Sequence, residues 1–191
     1  MERNPKSAAG WDELAALLST LAPEDLSRFL RYASLDVSGG PEDISRTLQA
    51  HASRNPEATP SMLLATTGSQ AAFARDLDFA REMGMASLNL AETPEEEQLA
   101  HVCLAQAHFQ NRRDEESLAA FVEHCRAAID LGHAGTFCYE RLAALYEYRG
   151  DLEEAAGISR RAVETLGAAG DTRSAARFEK RLGRLTGKSS G

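Results

Sequence analysis

Aromatic side chains are scarce, 6% of a 191-residue chain whose hydrophobic share is 43%. With few rings and many alanines, the interior has to be closed by small side chains at short range. Helices packed on helices allow that, whereas sheets draw on aromatic and β-branched residues. Prolines stand only at positions 5, 23, 41, 56, 60 and 94, so 95–191 lacks this helix breaker. Three widely spaced cysteines, an odd number, argue against a disulfide framework and for the reduced thiols of a cytoplasmic protein. No apolar run reaches the length of a membrane span, so no membrane partner is expected. The opening MERNPKSAAGWDEL has no continuous apolar core of a secretory signal.

Positive charge is also short. With 21 Lys/Arg against 29 Asp/Glu, the net charge of −8 disfavours wholesale binding to a phosphate backbone, so nucleic acid is not the expected partner. The imbalance is uneven: residues 171–191 carry six Lys/Arg and two acids, +4, which leaves −12 on the remainder. Catalytic signatures are missing as well. There is no glycine-rich phosphate loop, no GxSxG, no HExxH and no CxxC. The chain is therefore expected not to be an enzyme and to hold no cofactor and no metal.

What is present is helical periodicity with repetition. Residues 139–166 read YERLAALYEYRGDLEEAAGISRRAVETL, two amphipathic helices joined at Arg149-Gly150-Asp151. Tyr139, Leu142, Ala143 and Tyr146 form one stripe, and Leu152, Ala155, Ala156, Ile158, Ala162, Val163 and Leu166 form another. Gly150 suits a left-handed C-cap and Asp151 the cap of the next helix. Small Ala143 and Ala155 would let the backbones approach. RAAIDLGHAG at 126–135 and RAVETLGAAG at 161–170 share six of ten residues at an offset of 35, and the pairs Leu104-Ala105 and Leu142-Ala143 recur at 38. A fainter copy aligns RDLDFAREM at 75–83 with GDLEEAAGI at 150–158, through Asp76/Asp151, Leu77/Leu152 and Ala80/Ala155. A period of 34 to 38 residues marks a stacked helical repeat.

The hairpin at 139–166 resembles a tetratricopeptide repeat (TPR). Tyr139 and Tyr146 match the family's first-helix aromatics, Leu142-Ala143 its Leu-small pair, Gly150 its turn glycine, and Ala155 and Ala162 its small crossing residues. The 98–135 copy departs more, with His101 and His108 in place of the aromatics and Arg112 in place of the glycine. The 61–97 copy keeps Leu64, Gly68 and Ala80. The resemblance implies an all-α, right-handed α-solenoid of about three antiparallel hairpins, with an N-terminal helical segment at 1–58, repeats at 59–170 and a C-terminal capping helix with a frayed tail at 171–191.

Taken in order, 1–10 read as an unstructured lead, 11–21 as a helix (WxxLAxLLxxL), and Pro23 as the opening of a second through Leu26, Phe29, Leu30 and Ala33. Val37-Ser38-Gly39-Gly40 reads as a loop, Pro41 opens a third helix, and 55–60 is a proline-flanked linker. WDELAALL at 11–18 echoes YERLAALY at 139–146, which leaves a divergent repeat open there. Helices are then predicted at 60–73, 76–91, 95–111, 115–131, 136–149, 151–167 and 171–186. Thr93-Pro94-Glu95-Glu96 is a capping box. The last helix sets Ala175, Phe178, Leu182 and Leu185 on one face and Arg173, Arg177, Lys180, Arg181 and Arg184 on the other, a polar-backed seal for the stack.

Histidines and cysteines crowd 101–138, namely His101, Cys103, His108, His124, Cys125, His133 and Cys138. On one helix His101 and His108 share a face but lie about 10 Å apart, too far for a single zinc. Ligands from different helices stay open. The simpler reading puts the cysteines in small core positions and the histidines where the family has aromatics. Glu95-Glu96-Glu97, Asp114-Glu115-Glu116 and Glu153-Glu154 sit in first turns, where carboxylates complement the helix dipole. The basic face of 171–186 reads first as a solvated helix face.

The resemblance further implies a concave groove lined by the first helix of each hairpin. Carried over residue by residue, its rows are Met62, Ala65, Ser69, Ala72 and Phe73; Leu99, Val102, Gln106, Phe109 and Gln110; and Phe137, Glu140, Ala144, Glu147 and Tyr148. The family's carboxylate clamp needs Lys and Asn where this chain has Val102 with Gln106 and Glu140 with Ala144, so a chaperone-tail adaptor is not expected. The groove is expected to be apolar at its centre and acidic at one end, holding a basic or amphipathic segment of another protein. Two functions follow: a non-catalytic interaction module, scaffold or adaptor, or a regulatory or sensor domain that responds to a peptide or small ligand and controls a partner regulator.

Overall fold

The computed structural model describes residues 5–36 and 41–188, and these form ten helices and no strand. They are α1 Pro5–Ser19, α2 Pro23–Tyr32, α3 Pro41–Arg54, α4 Pro60–Phe73, α5 Leu77–Leu90, α6 Pro94–Gln110, α7 Glu115–Asp130, α8 Phe137–Arg149, α9 Leu152–Ala168 and α10 Thr172–Lys188. None is long and apolar enough to cross a membrane. The 37–40 loop and the 189–191 tail fall outside the described residues, as do residues 1–4. Residues 5–10 are not an unstructured lead, because they form the opening turns of α1.

Local chemistry explains the helix ends. The Thr93 hydroxyl accepts from the Glu96 N–H at 3.3 Å, and the buried Glu96 carboxylate accepts from the N–H groups of Thr93 at 3.0 Å and Glu92 at 2.6 Å. That is the capping box in full. Gly150 ends α8 with φ +84°, in the left-handed region that a Cβ disfavours. Asp151 sits at the N-cap of α9 but its carboxylate accepts no cap hydrogen bond. Asp114 and Asp171 do cap, accepting from the N–H groups of Ser117 at 2.7 Å and Ser174 at 3.0 Å.

The pairs α4/α5, α6/α7 and α8/α9 pack along their lengths, α6 also lies against α4 and α5, and α10 covers α9. The first pair is antiparallel. Ser61 at the start of α4 meets Ser87 at the end of α5, each hydroxyl donating to the other's carbonyl at 2.9 and 2.8 Å. Two glycines set how closely these helices approach. A Cβ on Gly68 would stand 2.5 Å from the Cys103 sulfur and 3.0 Å from the Ala80 carbonyl oxygen, and one on Gly84 would stand 2.7 Å from the Leu104 side chain. One core runs through α6 to α10 and another through α1 to α5, with Ala107 of α6 belonging to the second. Helix α6 is buried on several sides through Ala100, Val102, Cys103, Leu104, Ala105 and Ala107, as a helix with apolar residues around its circumference should be.

Burial aligns the helix pairs at a spacing that differs from the best sequence match. Cys125 and Ala162 are fully buried, as are Ile129 and Leu166, pairs separated by 37 residues. The identity at an offset of 35 instead aligns half-buried Leu131 with buried Leu166. It also aligns left-handed Gly132 with Gly167, which lies inside α9, whereas the left-handed glycine after α9 is Gly170. The fainter match at 75 is the sound one. Ala80/Ala155, Met83/Ile158 and Ser87/Ala162 are buried pair by pair.

The three N-terminal helices hold Trp11, Leu14, Leu18, Phe29, Ile44 and Leu48 in the second core. They reach the pairs through Tyr32, which packs 5.9 Å from the Phe79 ring and donates to the Asp76 carboxylate at 3.1 Å.

Candidate functional site

Helices α4, α6 and α8 run side by side, and their shared register (Ala72, Phe109; Phe73, Gln110, Tyr148) repeats the same helical face three times. On that face lies a cavity of about 590 Å³ lined by Ser69, Gln70, Ala72 and Phe73 from α4, Gln106, Phe109 and Gln110 from α6, and Phe137 and Arg141 from α8. Phe109 is its centre. Its ring meets Phe137 edge-on at 5.9 Å and Phe121 at 5.2 Å. The guanidinium groups of Arg112 and Arg141 stand 4.5 and 5.1 Å from the same ring, within cation–π range. Phe73 is 84% exposed and Tyr148 90%, both on this face, in a chain where rings are scarce. Tyr148 borders a second depression of about 340 Å³ with Phe109, Arg112, Leu118, Arg141 and Leu145.

Of the residues expected in the groove, Phe73, Gln106, Phe109 and Phe137 therefore line one cavity and Tyr148 the adjoining one. Met62 lies elsewhere, in a depression of about 460 Å³ with Tyr32, His51 and Gln70. Val102 is buried in the core among Ala105 and Phe121, and half-buried Leu99 lines none of these cavities. Side chains at these positions of α6 turn inward because the helix is packed on several flanks.

Matched against protein-family models and against curated proteins, the chain has no counterpart among them.

The acidic end of the groove is occupied by the chain itself. Glu140 accepts from Arg177 at 2.6 Å; Glu147 accepts from Arg184 at 2.9 Å and also from Arg181. Glu140, Arg177, Phe178, Lys180, Arg181 and Arg184 border a further cavity of about 640 Å³. Three arginines of the basic face of α10 thus reach α8, while Arg173 and Lys180 stay exposed. The sequence signal was available: the local charge of α10 is opposite to that of the acids on α8, and a helix sealing α9 passes beside α8.

The histidines also find partners that spacing on one helix does not reveal. His101 Nδ1 and His124 Nδ1 are 3.0 Å apart across α6 and α7, and the His108 ring stacks on His124 at 5.7 Å. Among the described residues, no group of three or more His, Cys, Asp or Glu side chains is placed to hold a metal ion. Cys103, Cys125 and Cys138 are free and fully buried. Burial pushes the Cys103 thiol up to about 12 and raises Cys125 as well, which suppresses thiolate chemistry.

The histidine cluster carries a pH prediction. Burial holds His101 and His108 below the ordinary histidine value; Glu97 and Glu123 oppose this at His101, Arg81 adds to it at His108, and Glu116 opposes it there. His124 is lowered to about 4, by burial first and then by the charges of its two neighbours. Above the ordinary value all three are neutral in both states. As pH falls through 6.5 the unfolded chain takes up protons that the folded cluster refuses, so stability is lost from there down to about 4. The urea midpoint should therefore drop more between pH 7 and pH 5 for the wild type than for His124→Leu. Equal drops would remove the cluster as the cause.

Proposed function

We propose that this chain is a non-catalytic protein–protein interaction module of the TPR type. In this reading α4/α5, α6/α7 and α8/α9 are three stacked units of an α-solenoid, α10 seals the last, and a segment of a partner protein lies along α4, α6 and α8. The common burial register of the pairs supports the repeat reading. The observation that carries the function is the gathering of Phe73, Phe109, Phe137 and Tyr148 on one open face, with the outer two almost wholly exposed. Exposed rings beside a cavity, in a chain that buries most of its few aromatics, fit a surface selected for contact rather than for stability.

The test uses substitutions that leave the core untouched. A partner retained by the full chain should bind Tyr148→Ala and Phe73→Ala about tenfold or more weakly, since a desolvated aromatic anchor typically carries about 2 kcal/mol. Helicity and melting temperature should not move. Unchanged binding by both variants would end the groove reading.

A further inference from the structure

The charge of the groove identifies the kind of segment that fits it, on the basis of the interaction reading above. The carboxylates expected at its acidic end, Glu140 and Glu147, are shared among Arg177, Arg181 and Arg184. Three guanidinium groups thus face two carboxylates, and Lys180 borders the same cavity. At the groove centre Arg112 and Arg141 lie over the Phe109 ring, and neither has a carboxylate partner among the described residues. Arg112 uses one N–H on the Phe109 carbonyl at 3.2 Å. A guanidinium held over a ring still has N–H groups free for planar, two-point bonding to a carboxylate. The whole chain carries −8, so these guanidinium groups stand out against an acidic background. A basic segment would meet unneutralised guanidinium groups here and find the acids already occupied.

We infer that the partner segment is acidic and amphipathic: apolar side chains enter between Phe73 and Phe137, and Asp or Glu residues flanking them pair with Arg141 and Arg112. The net negative charge of the chain has the same sign as such a segment and repels it from other faces, so the charge pattern sets where it docks as well as how fast.

The experiment is a selection of a random peptide library displayed on phage against the full-length chain, followed by fluorescence anisotropy of the enriched peptides. The expected peptides carry Asp or Glu beside Leu, Phe or Trp. Their binding should weaken with added salt and fall about tenfold or more in the double variant Arg112→Glu/Arg141→Glu. Neutral or basic peptides that are lost in Phe73→Ala/Tyr148→Ala would overturn the acidic assignment while leaving the groove in place. Acidic peptides that ignore both double variants but are lost on charge reversal of Arg177 and Arg181 would move the site to α10 and overturn both. Failure to enrich any peptide counts against the groove itself, whereas a single-stranded oligonucleotide that binds at Phe73 and Tyr148 more tightly than any enriched peptide would overturn the peptide as its occupant.

Discussion

Gly68→Val should be among the most damaging single substitutions in this chain. The position is the meeting point of α4, α5 and α6, where an added Cβ would stand 2.5 Å from the Cys103 sulfur, 3.0 Å from the Ala80 carbonyl oxygen and 3.0 Å from the Met83 Cβ. Two of those three atoms belong to or adjoin backbone and cannot swing aside, so α4 must move away from both neighbours. Overpacking of this kind costs about 1–3 kcal/mol per intruding group, and valine brings two further methyls. We expect Gly68→Ala to lose about 1–2 kcal/mol, its helix-propensity gain of about 1 kcal/mol notwithstanding, and Gly68→Val about 3 kcal/mol or more. Cys103→Ala should recover part of the alanine variant's loss by removing the nearest atom. Gly157, inside α9 with open space around its Cβ position, is the control: Gly157→Ala should gain up to about 1 kcal/mol. Urea denaturation decides the matter. A Gly68→Val protein with the wild-type midpoint would mean that the helices are not in such close contact there.

The second large effect belongs to α10. Phe178 is 3% exposed and presents its ring at 71° to Tyr139, 6.1 Å away, so one side chain ties α10 to the hairpin of α8 and α9. Ala175 and Leu185 are buried beside it. Phe178→Ala should cost about 3–5 kcal/mol, a large part of the roughly 5–15 kcal/mol that holds a domain folded. Truncation after Ala169 should expose Leu166 and Tyr139 together and give aggregation or a sharp fall in melting temperature. The ion pairs of α10 matter less for stability: Arg177 and Arg184 are more than half exposed, and such surface pairs contribute about 0–1 kcal/mol. If Arg177→Ala destabilised more than Phe178→Ala, the helix would be held by charge rather than by packing.

The helices were legible in the sequence wherever a local device announced them. The Thr93 capping box, Gly150, Pro23, Pro41 and Pro60 each act within one turn, and each helix start or stop lies where its chemistry places it. The self-similarity of the sequence matched the packing only in part. Six shared residues at an offset of 35 pointed to a register in which glycines coincide, but identical letters near a helix end do not require identical burial. The weaker match at 75, through Asp76/Asp151, Leu77/Leu152 and the buried pair Ala80/Ala155, follows the packing. Contacts between helices distant in sequence were the least legible. Nothing in the spacing of His101 and His108 places His124 against them, and the arginines of α10 read as a solvated face until α8 is seen beside it. Of the residues expected in the groove, Phe73, Gln106, Phe109 and Phe137 line one cavity, because helical phase alone sets which face they share. Val102 lies in the core instead, because phase does not say how many neighbours a helix has.

The central claim is that a partner segment lies across α4, α6 and α8. A photo-reactive benzoylphenylalanine placed in turn at positions 73, 148 and 85 tests it directly. Met85 is half exposed on α5, outside the groove, and serves as the control. With the captured partner bound and irradiated, crosslinks should form at 73 and 148 and not at 85, and mass spectrometry should map both to one short stretch of the partner. Crosslinks at 85 alone, or at all three positions alike, would contradict the assignment of the groove.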